Sequence, residues 1–161
     1  MIVILDTDFL SAFLKIERLP LVLAFYQVER LCVPPAVYRE LAVTHLLPAI
    51  LALPWIAVEQ PSPEHLELLA RNDALNVLGA GEQEALALAL GHPDAILLSN
   101  DRQVQRLATG YDVSIVNIPA FLVACKLAGL LDRSALAEIV NLLQERDYYS
   151  FRRDVLRMLL D

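Results

Sequence analysis

Short, continuously apolar runs alternate along this chain with longer segments of helical periodicity. The run Ile2–Leu5 is rich in β-branched residues and stops at Asp6, which is typical of a strand buried on both faces. Apolar residues then recur at helical spacing from Phe9 to Leu14, so a helix is predicted there, with Asp6 or Thr7 as its cap. The pattern indicates a parallel α/β arrangement from the first fifteen residues onward.

The same alternation predicts five strands and a series of helices over the rest of the chain. The further strands are expected at Leu31–Val33, Trp55–Val58, Ala95–Ser99 and Val113–Val116. The further helices are expected at Leu21–Glu29, from Pro35, from Ser62, at Gly81–Gly91, at Arg102–Thr109, and three times between Pro119 and Asp161. The fold class is therefore α/β, with a central parallel sheet and helices on both of its faces.

The 161 residues are enough for one domain with a sizeable core. With 57% hydrophobic and 20% charged residues the chain is too apolar to be disordered. No internal repeat or linker divides it. We expect a single domain over residues 1–161, in which residues 132–161 form a C-terminal helical extension.

The mean hydropathy of +0.48 raises the question of a membrane span. The most apolar stretch, Leu41–Val58, is interrupted by Pro48 and Pro54, and it cannot form a spanning helix. The apolar N-terminal run has no positive charge before it, so we expect no signal peptide and a cytoplasmic location.

Net charge and cysteine usage exclude two classes of site. The formal net charge is −7, so the chain lacks the positive field of a general nucleic-acid binder and needs a local patch or metal ions to bind one. Cys32 and Cys125 lie far apart in apolar surroundings, which predicts buried reduced thiols without a disulfide or a zinc site.

Acidic residues follow two of the predicted strands or begin the helices beside them. The acids expected near the carboxyl edge of the sheet, where parallel α/β proteins bind ligands, are Asp6, Asp8, Glu40, Glu82, Glu84 and Asp101. Converging carboxylates repel one another unless they hold protons or a cation, and oxygen ligands without His or Cys suit Mg²⁺ or Mn²⁺. Such sites hydrolyse phosphate esters.

Each acid also has a purely structural interpretation. Asp6 and Asp101 are placed to cap helices, Glu82 occupies a first helical turn, and Glu40 beside Arg39 fits a solvated surface. Sequence spacing leaves both interpretations open.

Four segments in order along the chain resemble the PIN domain family. They are Asp6–Leu10, Ala36–Leu41, Gly81–Ala89 and Leu97–Asp101. The closing part, Val113–Leu131, is similar to the prokaryotic branch near the VapC-type toxins. The resemblance therefore covers nearly the whole chain.

The resemblance implies a three-layer α/β/α fold and a Mg²⁺- or Mn²⁺-dependent ribonuclease. Such a ribonuclease can be the toxin of a toxin–antitoxin pair. The catalytic and metal-binding acids that it implies are Asp6, Glu40, Glu82 and Asp101, supported by Asp8, Glu84, Ser99 and Asn100. Two positions depart from the family: Asp8 stands where Ser or Asn is commoner, and Asn100 stands where this branch often has an acid. The number of metal ions stays open.

Two other functions compete with this one. Asp6-Thr7-Asp8 is similar to the nucleophile and acid of haloacid-dehalogenase-type phosphohydrolases, although Leu10 stands where that motif wants Thr or Val and no lysine is well placed. The other alternative is a binding module with this fold and no activity.

The predicted last helix has an apolar face and a basic face. Ser150 is placed to cap it, and Phe151, Val155 and Leu159 form the apolar face. The candidate RNA contacts are Arg102, Arg153 and Arg157, for which a solvated face is the alternative. The high apolar content predicts a covered surface, which a homodimer or an antitoxin-like protein would provide.

Overall fold

The computed structural model describes residues 1–161 as five strands and ten α-helices. The strands are β1 (Ile2–Leu5), β2 (Leu31–Val33), β3 (Ile56–Val58), β4 (Ala95–Leu98) and β5 (Ser114–Val116). The helices are α1 (Thr7–Lys15), α2 (Leu19–Tyr26), α3 (Pro35–Ala42), α4 (Leu47–Leu51), α5 (Pro63–Ala70), α6 (Ala80–Leu90), α7 (Arg102–Ala108), α8 (Ile118–Leu127), α9 (Arg133–Arg146) and α10 (Arg153–Leu160). Short 3-10 turns lie at Asp73–Val77 and Thr109–Tyr111.

All five strands are parallel, in the order β3-β2-β1-β4-β5. Because successive side chains of a strand point to opposite faces, Val3 and Leu5 enter one hydrophobic core and Ile4 enters the other. Helices cover both faces, so the fold is a three-layer α/β/α sandwich around a parallel sheet. The predicted fold class is confirmed.

The two cores differ in the size of their side chains. The larger core holds an aromatic cluster in which the Phe9 and Phe13 rings stack at 4.8 Å and Phe121 meets both edge-on. In the smaller core, α6 presents small buried residues such as Ala85 and Ala89. Small side chains let α6 lie close to the sheet, and this position brings its acidic first turn to the sheet edge.

The C-terminal helices share the larger core with the rest of the chain. Leu136, Ile139 and Leu143 of α9 and Leu159 of α10 are buried there beside residues of α1 and α8. The helices therefore fix the connection between α9 and α10 against the body of the domain.

Two helices differ from the prediction. The second helix spans Leu19–Tyr26 instead of Leu21–Glu29, because Gln27 takes a left-handed conformation, with φ at 54°, and ends it. Helix α4 was not predicted, since two prolines marked its region as irregular, yet Pro48 lies in its first turn, where proline is tolerated.

The predicted cap of the last helix is wrong. Arg152, not Ser150, occupies the N-cap position, and no side chain caps the helix there. The apolar face is present, with Phe151 and Leu159 buried and Val155 half-buried.

Two other expectations concern the cysteines and the membrane. Cys32 and Cys125 are buried and free, as predicted, and burial raises the pKa of their thiols to about 11 and about 12. No helix combines the length and the apolar character that crossing a bilayer requires.

Candidate active site

A small acidic cavity opens at the carboxyl edge of the central strands. Strands β1 and β4 are neighbours, and the Asp6 amide donates to the Leu98 carbonyl at 3.1 Å, so the residues after both strands meet there. The cavity measures about 90 Å³ and has no hydrophobic lining residue. Its lining consists of Asp6, Thr7, Asp8, Glu40, Gly79 and Glu82.

Asp6 caps α1 and still has one carboxylate oxygen free. Its Oδ1 accepts a hydrogen bond from the Phe9 amide at 2.9 Å, whereas its Oδ2 is buried without a partner. Burial raises the pKa of Asp6 to about 6, and the charge of Asp8 raises it further. The Phe9 amide lowers this pKa in part, as does the nearby Ser99 hydroxyl, which makes no hydrogen bond to Oδ2 in the structure. The capping interpretation therefore holds for this residue, and the free oxygen leaves room for the ligand interpretation beside it.

Asp101 caps α7 in the same way, but it is not among the residues that line the cavity. Its Oδ1 accepts from the amides of Gln103 at 2.7 Å and Val104 at 3.0 Å. Its charge raises the pKa of both Asp6 and Asp8, which places it within electrostatic reach of the cavity. The buried Ser99 accepts a hydrogen bond from the Asp101 amide at 3.3 Å, which orders the turn between β4 and α7.

Glu82 reaches the cavity from the first turn of α6. Its Oε2 accepts from the Gly79 amide at 2.9 Å, which is the half of a capping box that a glycine N-cap allows. Burial raises the pKa of Glu82 to about 7, and the neighbouring Asp101 adds to the shift.

Glu40 is held in place by two residues that the sequence did not single out. Its Oε2 accepts a short hydrogen bond from the Thr7 hydroxyl, and its Oε1 accepts from the Gly81 amide at 3.0 Å. A Cβ at position 81 would lie 2.9 Å from Oε1 of Glu40, so the contact requires glycine. The signal in the sequence was a glycine near the start of a helix otherwise rich in Ala, Leu and Glu.

Asp8 and Glu84 have different surroundings. Asp8 lines the cavity, and partial burial, with the charge of Asp101, raises its pKa. Glu84 does not line it: its Oε2 accepts from the Ala36 amide at 2.7 Å and its Oε1 lies 3.6 Å from Arg39. Glu84 thus caps α3, which has no side-chain cap of its own.

Asn100 lies beside the cavity and connects three parts of the fold. Its Oδ1 accepts hydrogen bonds from the Ile118 amide and from the Tyr149 hydroxyl, both at 3.2 Å. Neither partner is an acid of the cavity.

The three predicted RNA contacts are all exposed. Arg102 follows Asp101 directly, whereas Arg153 and Arg157 lie on α10.

The donor set of the cavity fits a hard divalent cation. The buried, unpartnered Oδ2 of Asp6 and the surrounding carboxylates supply oxygen ligands only. No three His, Cys, Asp or Glu side chains stand in a preassembled coordination geometry. Mg²⁺ keeps several of its waters and needs only one or two direct carboxylates, so a preassembled cage is not required.

The fold and the cavity define the class of protein: a three-layer α/β/α domain with an acidic pocket at the point where the strand order reverses, between β1 and β4. A family profile described as a PIN domain matches residues 2–160, and the chain belongs to the PIN domain family. PIN domains are generally nucleases and typically use divalent metals. No curated protein matches the chain significantly.

Proposed function

We propose that this protein is a metal-dependent ribonuclease that hydrolyses phosphodiester bonds of RNA with Mg²⁺ or Mn²⁺. The observation that carries the proposal is the buried, unpartnered carboxylate oxygen of Asp6 in the acidic cavity of a PIN domain. A protein leaves such an atom without a partner at a cost in stability, so the position indicates a ligand.

Four acids would hold the metal ion: Asp6, Glu40, Glu82 and Asp101. When bound, such an ion activates a water and neutralises charge on the phosphate. The chain's own residues position these carboxylates, since Asp6 and Asp101 are fixed by helix amides and Glu40 is fixed by Thr7 and Gly81. Fixed ligands reduce the reorganisation that the reaction requires.

Cleavage of end-labelled RNA tests the proposal. A panel of single-stranded and structured RNAs is incubated with the protein in Mg²⁺, in Mn²⁺ and in EDTA. We expect the wild type to cleave RNA only when metal is present. In Asp6→Asn the cleavage should fall to the level of the EDTA reaction, and in Asp101→Asn it should fall nearly as far. Glu138→Gln is the matched control, because Glu138 is an exposed acid on α9 that pairs with Arg18. Full activity in the folded Asp6→Asn protein would contradict the assignment.

A second candidate is a PIN-domain binding module without catalysis. The observation that favours it is that both oxygens of Glu40 already accept hydrogen bonds from within the protein. A folded wild type that binds Mn²⁺ and RNA and cleaves no RNA of the panel would support this candidate. The haloacid-dehalogenase alternative loses its basis, because the chain belongs to the PIN domain family.

A protein partner and a cytoplasmic toxin role are further parts of the proposal. Val43, Leu127 and Met158 are exposed apolar side chains that a second copy or an antitoxin-like protein would cover. Light scattering of the purified chain measures whether it forms the homodimer, and growth arrest on expression, rescued by a co-expressed partner, would support the toxin role.

A further inference from the structure

Tyr148 is a large aromatic residue that packs against almost nothing. It lies in the connection between α9 and α10, and 87% of its surface is exposed. Its backbone is left-handed, with φ at 53°, a conformation that costs energy in any residue other than glycine. Neither packing nor backbone preference explains a tyrosine at this position.

The backbone on both sides of Tyr148 is firmly held. The amides of Asp147 and Tyr149 both donate to the Leu143 carbonyl, each at 3.1 Å. The ring of Tyr149 packs on that of Phe151 with centroids 4.6 Å apart. The exposed ring therefore projects from a rigid support.

The same flanking residues connect Tyr148 to two parts of the fold that carry acids of the site, α1 with Asp8 and the turn after β4 with Asp101. Asp147 pairs with Lys15 of α1 at 2.8 Å, and its charge raises the pKa of Asp8 in the cavity. On the other side, the Tyr149 hydroxyl donates to Asn100, the residue before Asp101. One connection thus spans from the end of α1 to the end of β4.

Two basic side chains, Arg146 and Arg102, lie near this connection in a chain that is acidic as a whole. The Arg146 guanidinium donates to the Lys15 carbonyl at 3.2 Å. The charge of Arg102 lowers the pKa of the Tyr149 hydroxyl, against the larger raising effect of burial, so Arg102 is also close. An exposed aromatic ring with cations nearby is a combination that holds single-stranded nucleic acid.

We propose that Tyr148 stacks on an unpaired base of single-stranded RNA and thereby holds the strand across the acidic cavity. The inference rests on the proposed function. Stacking on one ring accepts any base, because every base has a π-face, so the contact supports affinity for single strands and gives little sequence preference. A duplex keeps its bases stacked within the helix and offers none to the ring.

Binding is measured by fluorescence anisotropy of a labelled single-stranded RNA, with Mg²⁺ present and in the Asp6→Asn background, so that the strand is not cut. Adding Tyr148→Ala is expected to weaken binding roughly 5- to 100-fold, whereas Tyr148→Phe stays within about twofold because the ring remains. Leu51→Ala is the control for loss of an exposed apolar side chain, since Leu51 is 64% exposed at the end of α4. We expect it to leave the affinity unchanged.

Two additions make the test independent of folding and of general affinity. Tyr148→Gly also removes the ring and relieves the left-handed strain, so it folds at least as well as the parent and should weaken binding as Tyr148→Ala does. In a series of RNAs with one abasic site each, the effect of Tyr148→Ala should disappear at the position whose base stacks on the ring.

The outcomes separate the two proposals. RNA binding that is equal in the Ala, Gly and Phe variants would overturn the stacking role and leave the ribonuclease in place. An equal loss of duplex and single-strand binding would also overturn it. If the wild type cleaves the RNA panel and no Tyr148 variant changes RNA binding, only the stacking role is contradicted. If the parent protein binds no RNA, both the stacking role and the ribonuclease proposal are contradicted.

Discussion

Asp6 combines two roles that differ in their effect on stability. Its Oδ1 caps α1, which stabilises the helix, whereas its buried Oδ2 has no partner and holds charge away from water. Because burial is the largest cause of its raised pKa, ionising this carboxyl costs more in the folded chain than in the unfolded one. The site is therefore a source of instability that a bound cation would relieve.

Asp6→Asn is expected to stabilise the metal-free protein at pH 8. The pKa of Asp6 is about 6 in the folded state against 3.8 for the ordinary group. The contribution of this carboxyl to folded-state stability is therefore complete below pH 3.8, and it is lost as the pH rises through about 6. Asparagine keeps the cap and removes the buried charge, for a gain on the order of 2 kcal/mol. Thermal unfolding in EDTA should show the gain at pH 8 and little of it at pH 4.

Asp132→Asn is the control for that comparison. Asp132 caps α9 through the Ala135 amide at 2.8 Å and is exposed, so an uncharged cap should leave stability nearly the same at either pH. Stabilisation of equal size in both variants would assign the effect to capping or to net charge instead of burial.

Gly81→Ala is expected to lower activity while the fold stays intact. Alanine normally stabilises a helix by about 1 kcal/mol over glycine, but here its Cβ would lie 2.9 Å from Oε1 of Glu40 and 3.0 Å from the Thr7 hydroxyl oxygen. The carboxylate is the movable end of a flexible side chain, so Glu40 should shift and lose its hydrogen bond to the Gly81 amide. RNA cleavage should fall roughly 10-fold or more, since misplacement by a fraction of an ångström is costly in an active site.

The matched glycine for this test is Gly110, where an added Cβ would meet nothing within 4 Å. Gly110→Ala should keep full cleavage activity. Wild-type activity in Gly81→Ala would show that the position of Glu40 is not critical, and a large fall in its unfolding temperature would show that the shift is not confined to the side chain.

At the scale of secondary-structure elements, the sequence predicted the strands well because parallel strands buried on both faces are uninterrupted apolar runs. β1 and β2 span the residues expected, and α3 begins at Pro35 as predicted. Contacts between elements could not be predicted in this way. Helix α3 is capped by Glu84 of another helix, and no local pattern shows such a contact.

The cap that Glu84 gives to α3 leads to a prediction for that helix pair. Glu84→Ala leaves the Ala36 amide without its acceptor and should cost about 1 to 2 kcal/mol, whereas Glu84→Gln keeps an acceptor oxygen and should cost much less. The ion pair with Arg39 adds little, because that side chain is 68% exposed. Denaturant midpoints of the three proteins measure the difference.

If Glu84→Gln is as unstable as Glu84→Ala, the negative charge of Glu84 stabilises α3, and the acceptor oxygen for the Ala36 amide does not suffice. Because α3 carries Glu40, the Ala variant should also lose cleavage activity, whereas a Gln variant that keeps α3 stable should keep most of it.

At the scale of the whole molecule, the topology of the sheet explains which residues of the site could be predicted from the sequence. The carboxyl ends of β1 and β4 adjoin because they are neighbouring parallel strands, so Asp6 and Asp101 follow from the strand pattern alone. Thr7, Gly81 and Tyr148 could not be found that way, because their contacts join separate elements or depend on exposure. That the four acids bind metal is still a prediction.

Divalent metal should stabilise the whole domain, more at pH 8 than at pH 5. Binding to the folded state alone adds about 2.7 kcal/mol at a metal concentration about 100 times Kd, or roughly 5 to 10 °C in Tm for a chain of this size. The pKa values of Asp6, about 6, and Glu82, about 7, mean that protons compete with the ion in acid and leave the site as the pH rises. Thermal unfolding with increasing Mn²⁺ measures the shift, which Asp6→Asn should reduce and Glu138→Gln should not. An equal shift in Asp6→Asn would place the bound ion away from the cavity, because Asp6 contributes the only buried carboxylate oxygen there that no protein group already satisfies.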